Sequence, residues 1–142
     1  MSFALPDGPD FSEAIPSGGY LWWYLDGISN DGRHGITLIA FVGSVFSPYY
    51  RKALARGAGV PVDHVDINVA LYGPGGRWWM TERGKRQLSR SARRFRVGPS
   101  RLAWTEDGRL EASIDERAAP LPFALRGAVR LTPTALTGAS FA

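Results

Sequence analysis

Polar and apolar positions alternate along much of the chain, and turn residues interrupt the pattern about every ten residues, which predicts short antiparallel strands. Tyr20–Ile28 reads as the first strand. Its alternation puts Tyr20, Trp22, Tyr24 and Asp26 on one face and Leu21, Trp23 and Leu25 on the other. Ser29–Arg33 is a hairpin-type connection in which Asp31-Gly32 supplies positive-φ positions. Ile36–Phe46 is nearly all apolar, as in a strand covered on both faces. Pro48–Ala58 predicts a helical turn stopped by Gly57 and Gly59. Val65–Tyr72 alternates cleanly, with Val65, Ile67, Val69 and Leu71 opposed to Asp66, Asn68, Ala70 and Tyr72. The remaining strands are Arg77–Arg83, Arg93–Val97, Arg101–Thr105, Arg109–Asp115 and Phe123–Leu131. Residues 1–19, rich in Pro, Gly and acids, read as a loose arm before a β domain over 20–142. The expected fold is all-β, an antiparallel barrel of roughly eight strands able to hold one elongated apolar ligand.

Composition narrows the chemistry. The 142 residues contain no cysteine, which excludes disulfides, thiolate catalysis and Cys-built metal sites. Two histidines thirty positions apart, His34 and His64, do not suggest a metal centre. No apolar run reaches the ~18 residues of a membrane span, and the N-terminus lacks the basic and apolar regions of a signal peptide. A cytoplasmic protein is expected. The formal charge of +4 is unevenly spread: Arg77–Arg101 holds nine basic residues and one acid, whereas the rest holds eight basic residues and twelve acids. Lys85–Arg101 has one aromatic, too few for a single-strand stacking platform, so nucleic acid is not the expected partner. An anionic membrane surface fits this stretch, and so does a solvated strand edge.

Three groups of residues could support chemistry. Trp22, Tyr24 and Asp26 share a strand face that can form a cavity wall, with aromatic rings shielding a cation and a carboxylate nearby; a packed seam with Asp26 in a turn is the plain alternative. His64, Asp66, Asn68 and Tyr72 form a polar row that either orients water or is merely solvated. Trp78, Met80 and Glu82 share a face, and an inward Glu82 either pairs with an arginine or has a raised pKa. Ser44 and Ser47 have no patterned histidine partner, and Tyr49 and Tyr50 read as pocket lining or packing.

The strings GGYLWWYLDGISNDGRHGITLIAFVGSVFSPYYRKA, NVALYGPGGRWWMTERG and VGPSRLAW, in order and spacing, resemble the N-terminal half of the carotenoid 1,2-hydratases, also called hydroxyneurosporene synthases. The resemblance runs from about Gly18 to Leu131. It implies a lipocalin-like barrel, one half of a tandem arrangement. It also implies addition of water across the terminal 1,2 double bond of acyclic carotenoids such as neurosporene and lycopene, without cofactor or metal. A carboxylic acid protonates C2, aromatic rings shield the C1 cation, and water captures it. The family lining maps onto Trp22, Trp23, Tyr24, Asp26, Tyr49, Tyr50, Asn68, Tyr72, Trp78 and Glu82, with Asp26 and Glu82 as the candidate acids. A membrane-dissolved substrate implies a position peripheral to the inner membrane, with Lys85–Arg101 against anionic headgroups. A second β-rich half, or self-association, is expected to cover what this chain leaves open. The alternative is a non-catalytic binder of an apolar ligand.

Overall fold

The structure, a computed structural model, describes residues 8–118 and 120–134. Among these, nine strands form two antiparallel sheets. The first is a meander of β1 (Leu21–Ile28), β2 (Gly35–Val42), β3 (Val65–Tyr72) and β4 (Arg77–Met80). The second runs in order through β5 (Leu88–Ser91), β6 (Arg94–Val97), β7 (Ser100–Trp104), β8 (Leu110–Arg117) and β9 (Ala124–Leu131). One helix, α1 (Pro48–Ala55), lies between β2 and β3. The class is all-β as expected, and the described strands pair into a four-stranded and a five-stranded antiparallel sheet. The ladder breaks after β4: only the Val65–Arg83 bridge continues it before a 3-10 turn at Lys85–Gln87. The strand β5, so rich in basic and polar residues, carries no apolar alternation by which it could have been foreseen.

The chain divides into two compact units, residues 14–88 and residues 1–13 with 89–142. The first buries one face of its sheet: Trp23, Leu38, Ala40, Val42, Val65, Ile67 and Val69. Their cross-strand partners agree, since Trp23 faces Ala40 and Ala40 faces Ile67. In the β1–β2 turn only Gly32 has positive φ; Asp31 instead accepts hydrogen bonds from Ser29 Oγ and the Arg33 amide. The helix α1 starts at Ser47, whose Oγ accepts from the Tyr50 amide, with Pro48 at the first helical position.

The second unit buries Phe95, Val97, Leu102, Trp104, Leu110, Ala112, Ile114 and Leu125. Phe11, from the segment read as an arm, is fully buried and packs 6.2 Å from the Phe95 ring. Its backbone is tied in: its amide donates to Ala92 O, Arg90 Nη1 donates to Phe11 O and Glu13 O, and Trp104 Nε1 donates to Pro9 O. Part of the basic stretch is thereby used internally, because Arg93 donates to Thr105 O and Arg96 to Gly98 O, as Arg90 does to the arm. No helix among the described residues is long and apolar enough to cross a membrane.

Candidate functional site

The other face of the first sheet brings most of the expected site residues together. Strand pairing arranges them in transverse rows. The first is Trp22, Phe41, Asp66 and, through the Val65–Arg83 bridge, Glu82. The second is Tyr24, Ile39, Asn68 and Met80; the third is Asp26, Thr37, Ala70 and Trp78; the fourth ends on Tyr72. Rows on one face repeat every second residue, about 6–7 Å apart, and strands lie about 4.8 Å apart. The result is an aromatic surface in which Trp22, Tyr24, Tyr72 and Trp78 are all exposed. Tyr20 stacks on Trp22 at 5.2 Å, and Phe46 meets Phe41 edge-on at 5.4 Å.

Three expected lining residues lie elsewhere. Trp23 points to the opposite face and belongs to the core. Tyr49, on α1, is exposed. Tyr50 is buried, packs its ring 4.9 Å from that of His64, and donates its hydroxyl to Gly19 O at 2.5 Å. The two candidate acids are not neighbours. Asp26 sits in the third row, about 13 Å along the strands from the first, and Asp26 Oδ1 accepts from Thr37 Oγ1 at 2.8 Å. It borders an open cleft of ≈ 760 Å³ lined also by Tyr24, Arg33, His34 and Tyr72. Asp31 does not pair with it; the Ser29 hydroxyl holds the Asp31 carboxyl below the ordinary value.

Glu82 does lie at a polar cluster, but its partner is His64 rather than an arginine: Nδ1 and Oε1 are 2.5 Å apart. Opposite Glu82 is a residue that strand alternation marked only as one of a polar row, Asp66. It is fully buried, and neither carboxylate oxygen has a hydrogen-bond partner. Burial pushes its pKa up to about 6, the charge of Glu82 adds to the rise, and the hydroxyl of Ser44 beside it acts in the opposite sense. Ser44 is itself fully buried, and its Oγ lacks regular hydrogen-bond geometry to any partner. Asn68, the next residue on this face, is also buried, so this end of β3 is not a solvated face. The described residues contain no group of three or more side chains suited to a metal ion.

Gly43 places Ser44 there. It adopts φ +73°, ends β2, and donates its amide to Pro61 O and His64 O. A Cβ at this position meets Gly19 O at 2.6 Å. Gly43→Ala is expected to destabilise the first unit by at least about 1–2 kcal/mol from the left-handed backbone alone, read as a lower urea midpoint.

The sequence matches the family described as carotenoid hydratase CrtC over residues 38–142. It is 50% identical over 136 residues to the acyclic carotenoid 1,2-hydratase of Thiocapsa roseopersicina, a match covering 94% of this chain and 33% of the relative. It is 52% identical over 131 residues to the enzyme of that name from Rubrivivax gelatinosus, covering 90% and 32%, and 43% identical over 100 residues to that from Cereibacter sphaeroides, covering 70% and 35%. The chain therefore spans about a third of the length of the curated relatives it matches. No solved structure matches it. Three conserved-in-name relatives and a family match over most of the chain agree: this chain belongs to the carotenoid hydratase CrtC family.

Proposed function

We propose that this chain takes part in the hydration of an acyclic carotenoid at its terminal 1,2 double bond, and that the exposed face of the first sheet holds the polyene end. The observation that carries this reading is the row order of that face. An aromatic, apolar surface ends at the buried carboxyl group of Asp66 in the row headed by Trp22. An unactivated alkene reacts with water only after protonation, and the tertiary cation so formed needs a shield that does not trap it. Aromatic faces provide that shield through their quadrupole, and a carboxylic acid kept protonated provides the proton. Family membership and the names of the relatives support the same substrate class.

The test is incubation of the chain with lycopene in detergent micelles prepared in ¹⁸O-labelled water. The expected product is a tertiary alcohol with the label on C1. A shifted carotenoid absorption spectrum without product favours the non-catalytic binder. Neither binding nor product defeats both readings. Trp22→Ala is expected to weaken carotenoid binding by roughly tenfold, the loss of one aromatic contact of about 1–2 kcal/mol, measured by titration of the spectral shift.

A further inference from the structure

We propose that α1 and the loop before it form the surface by which this chain docks on an anionic lipid bilayer. Val45, Phe46 and Tyr49 enter the headgroup layer, and Arg51, Lys52 and Arg56 meet the lipid phosphates. The docking stands on exposure and charge; its use in taking up substrate rests on the carotenoid reading of the aromatic face.

The orientation of α1 is fixed from one side. Tyr50 turns inward, where it is buried and donates its hydroxyl to Gly19 O. Successive helical residues are turned by about 100°, so Lys52, Ala55 and Arg56 lie opposite Tyr50, with Tyr49 and Arg51 on the flanks. All five are exposed, Tyr49 by 71%. In the loop that leads into the helix Val45 and Phe46 are exposed as well, Phe46 by 55%. Apolar side chains and cations thus share one outward surface, as on elements that lie in a membrane interface.

The charge on this surface is unopposed. Between Asp31 and Asp63 the chain carries no acid and four cations, Arg33, Arg51, Lys52 and Arg56. Among the described residues none of the three cations of α1 and its C-cap is ion-paired. Cations at a helix C-terminus favour its dipole, which accounts for Lys52 and Arg56 but not for the side chains of Val45, Phe46 and Tyr49 exposed at the other end. The longer basic stretch differs, since its Arg90, Arg93 and Arg96 donate to backbone carbonyls.

This pairing of groups selects the occupant. An acidic protein or a nucleic acid satisfies the cations but gives the exposed Val45 and Phe46 no apolar phase to enter. A second copy of the chain in an isologous contact sets the same cations against each other. An anionic bilayer satisfies both kinds of group at once.

The surface also adjoins the aromatic face. Phe46 meets Phe41 at 5.4 Å, and Phe41 lies 6.2 Å from Trp22, which heads the row containing Asp66. An acyclic carotenoid is a hydrocarbon and partitions into the acyl layer. With α1 on the headgroups, this line of rings offers the polyene a route from lipid to the face that avoids water.

Flotation of the 142-residue chain with lipid vesicles, without carotenoid, tests the docking. Vesicles of phosphatidylcholine mixed with phosphatidylglycerol are expected to carry the chain, and phosphatidylcholine alone to carry much less. Arg51→Gln, Lys52→Gln and Arg56→Gln combined are expected to weaken partitioning about a hundredfold, at roughly fivefold per cation. Lys85→Gln with Arg86→Gln, which removes exposed cations of the basic stretch, is expected to leave it unchanged. The chain has no cysteine, so Tyr49→Cys takes a single environment-sensitive fluorophore. Its emission is expected to move to shorter wavelength on the anionic vesicles, and that of a label on Glu106→Cys to stay. No flotation with anionic vesicles overturns the proposal, as does flotation that the Lys85 and Arg86 variant reduces as much as the α1 variant. Loss in the α1 variant with an unshifted Tyr49→Cys label marks contact with anions only and overturns the lipid assignment. A chain that docks but neither binds nor hydrates lycopene keeps the docking surface and counts against the carotenoid reading instead.

Discussion

Phe11→Ala is expected to destabilise the second unit by about 3–5 kcal/mol, the usual range for emptying a buried phenylalanine site. Phe11 is fully buried against Phe95, yet it belongs to the segment over residues 1–19 that sequence reads as a loose arm. The surrounding hydrogen bonds make the site unable to collapse easily. Arg90 holds the carbonyls of Phe11 and Glu13, and Trp104 holds that of Pro9. With this backbone pinned, the cavity left by the ring stays open, and the penalty falls toward the upper end of the range. Hydrogen exchange locates the effect. Amides of β6 and β7 should lose protection, while those of β2 and β3 keep theirs. Uniform loss over both sheets, or no loss in either, contradicts the assignment of Phe11 to the core of the second unit.

Asp66 gives the second large effect, and it has a sign opposite to that of most acids. Its folded pKa of about 6 lies above the ordinary 3.8, so the native state binds this proton more tightly than the unfolded chain does. The associated stability is present below pH 3.8, is lost as pH rises through about 6, and is gone at pH 8. The gap corresponds to about 3 kcal/mol at 1.36 kcal/mol per pH unit. Asp66→Asn removes the charge and nearly preserves the volume. Urea unfolding at pH 5 and pH 8 should therefore show wild type falling relative to the variant by about 1.4 kcal/mol as pH rises, since about half of the gap is already lost by pH 5. Comparing the two proteins at each pH cancels the other titrating groups. Parallel pH dependence in wild type and variant rules out the buried acid. Three exposed carboxylates behave the other way: Asp31, Asp107 and Glu111 are held below their ordinary values, by Ser29, Thr105 and Arg130 respectively.

The aromatic face and the basic stretch show how local chemistry and its setting part company. Trp22 and Trp23 are neighbours in the chain and equal as aromatic candidates. One lies on the exposed face and the other is core, because successive side chains of a strand point to opposite sides. Lys85–Arg101 appeared as a single block of charge, but the fold spreads it over a 3-10 turn, the strands β5 and β6 and the start of β7, and ties Arg90, Arg93 and Arg96 to backbone carbonyls. A guanidinium that caps a carbonyl is a structural group, whatever the charge of its neighbours suggests.

Sequence alone determined the all-β class, eight of the nine described strands to within a few residues, the helix at Pro48, and the faces of β1 and β3, since each follows from local alternation, turn residues and capping chemistry within a few positions. Its motifs also sufficed to point to the hydratase family. Tertiary structure decided what depends on pairing between distant segments. The described strands pair into two sheets, with the ladder of the first continued past β4 by the Val65–Arg83 bridge, because pairing is a property of the strand edges and not of any single strand. Phe11 became core through contacts with residues about eighty positions away. Asp66, one polar residue among several in an alternating strand, became the most perturbed acid described. That outcome required Ser44 and Glu82, from either side in the chain, to reach one buried point, and burial is fixed only when the packing is complete.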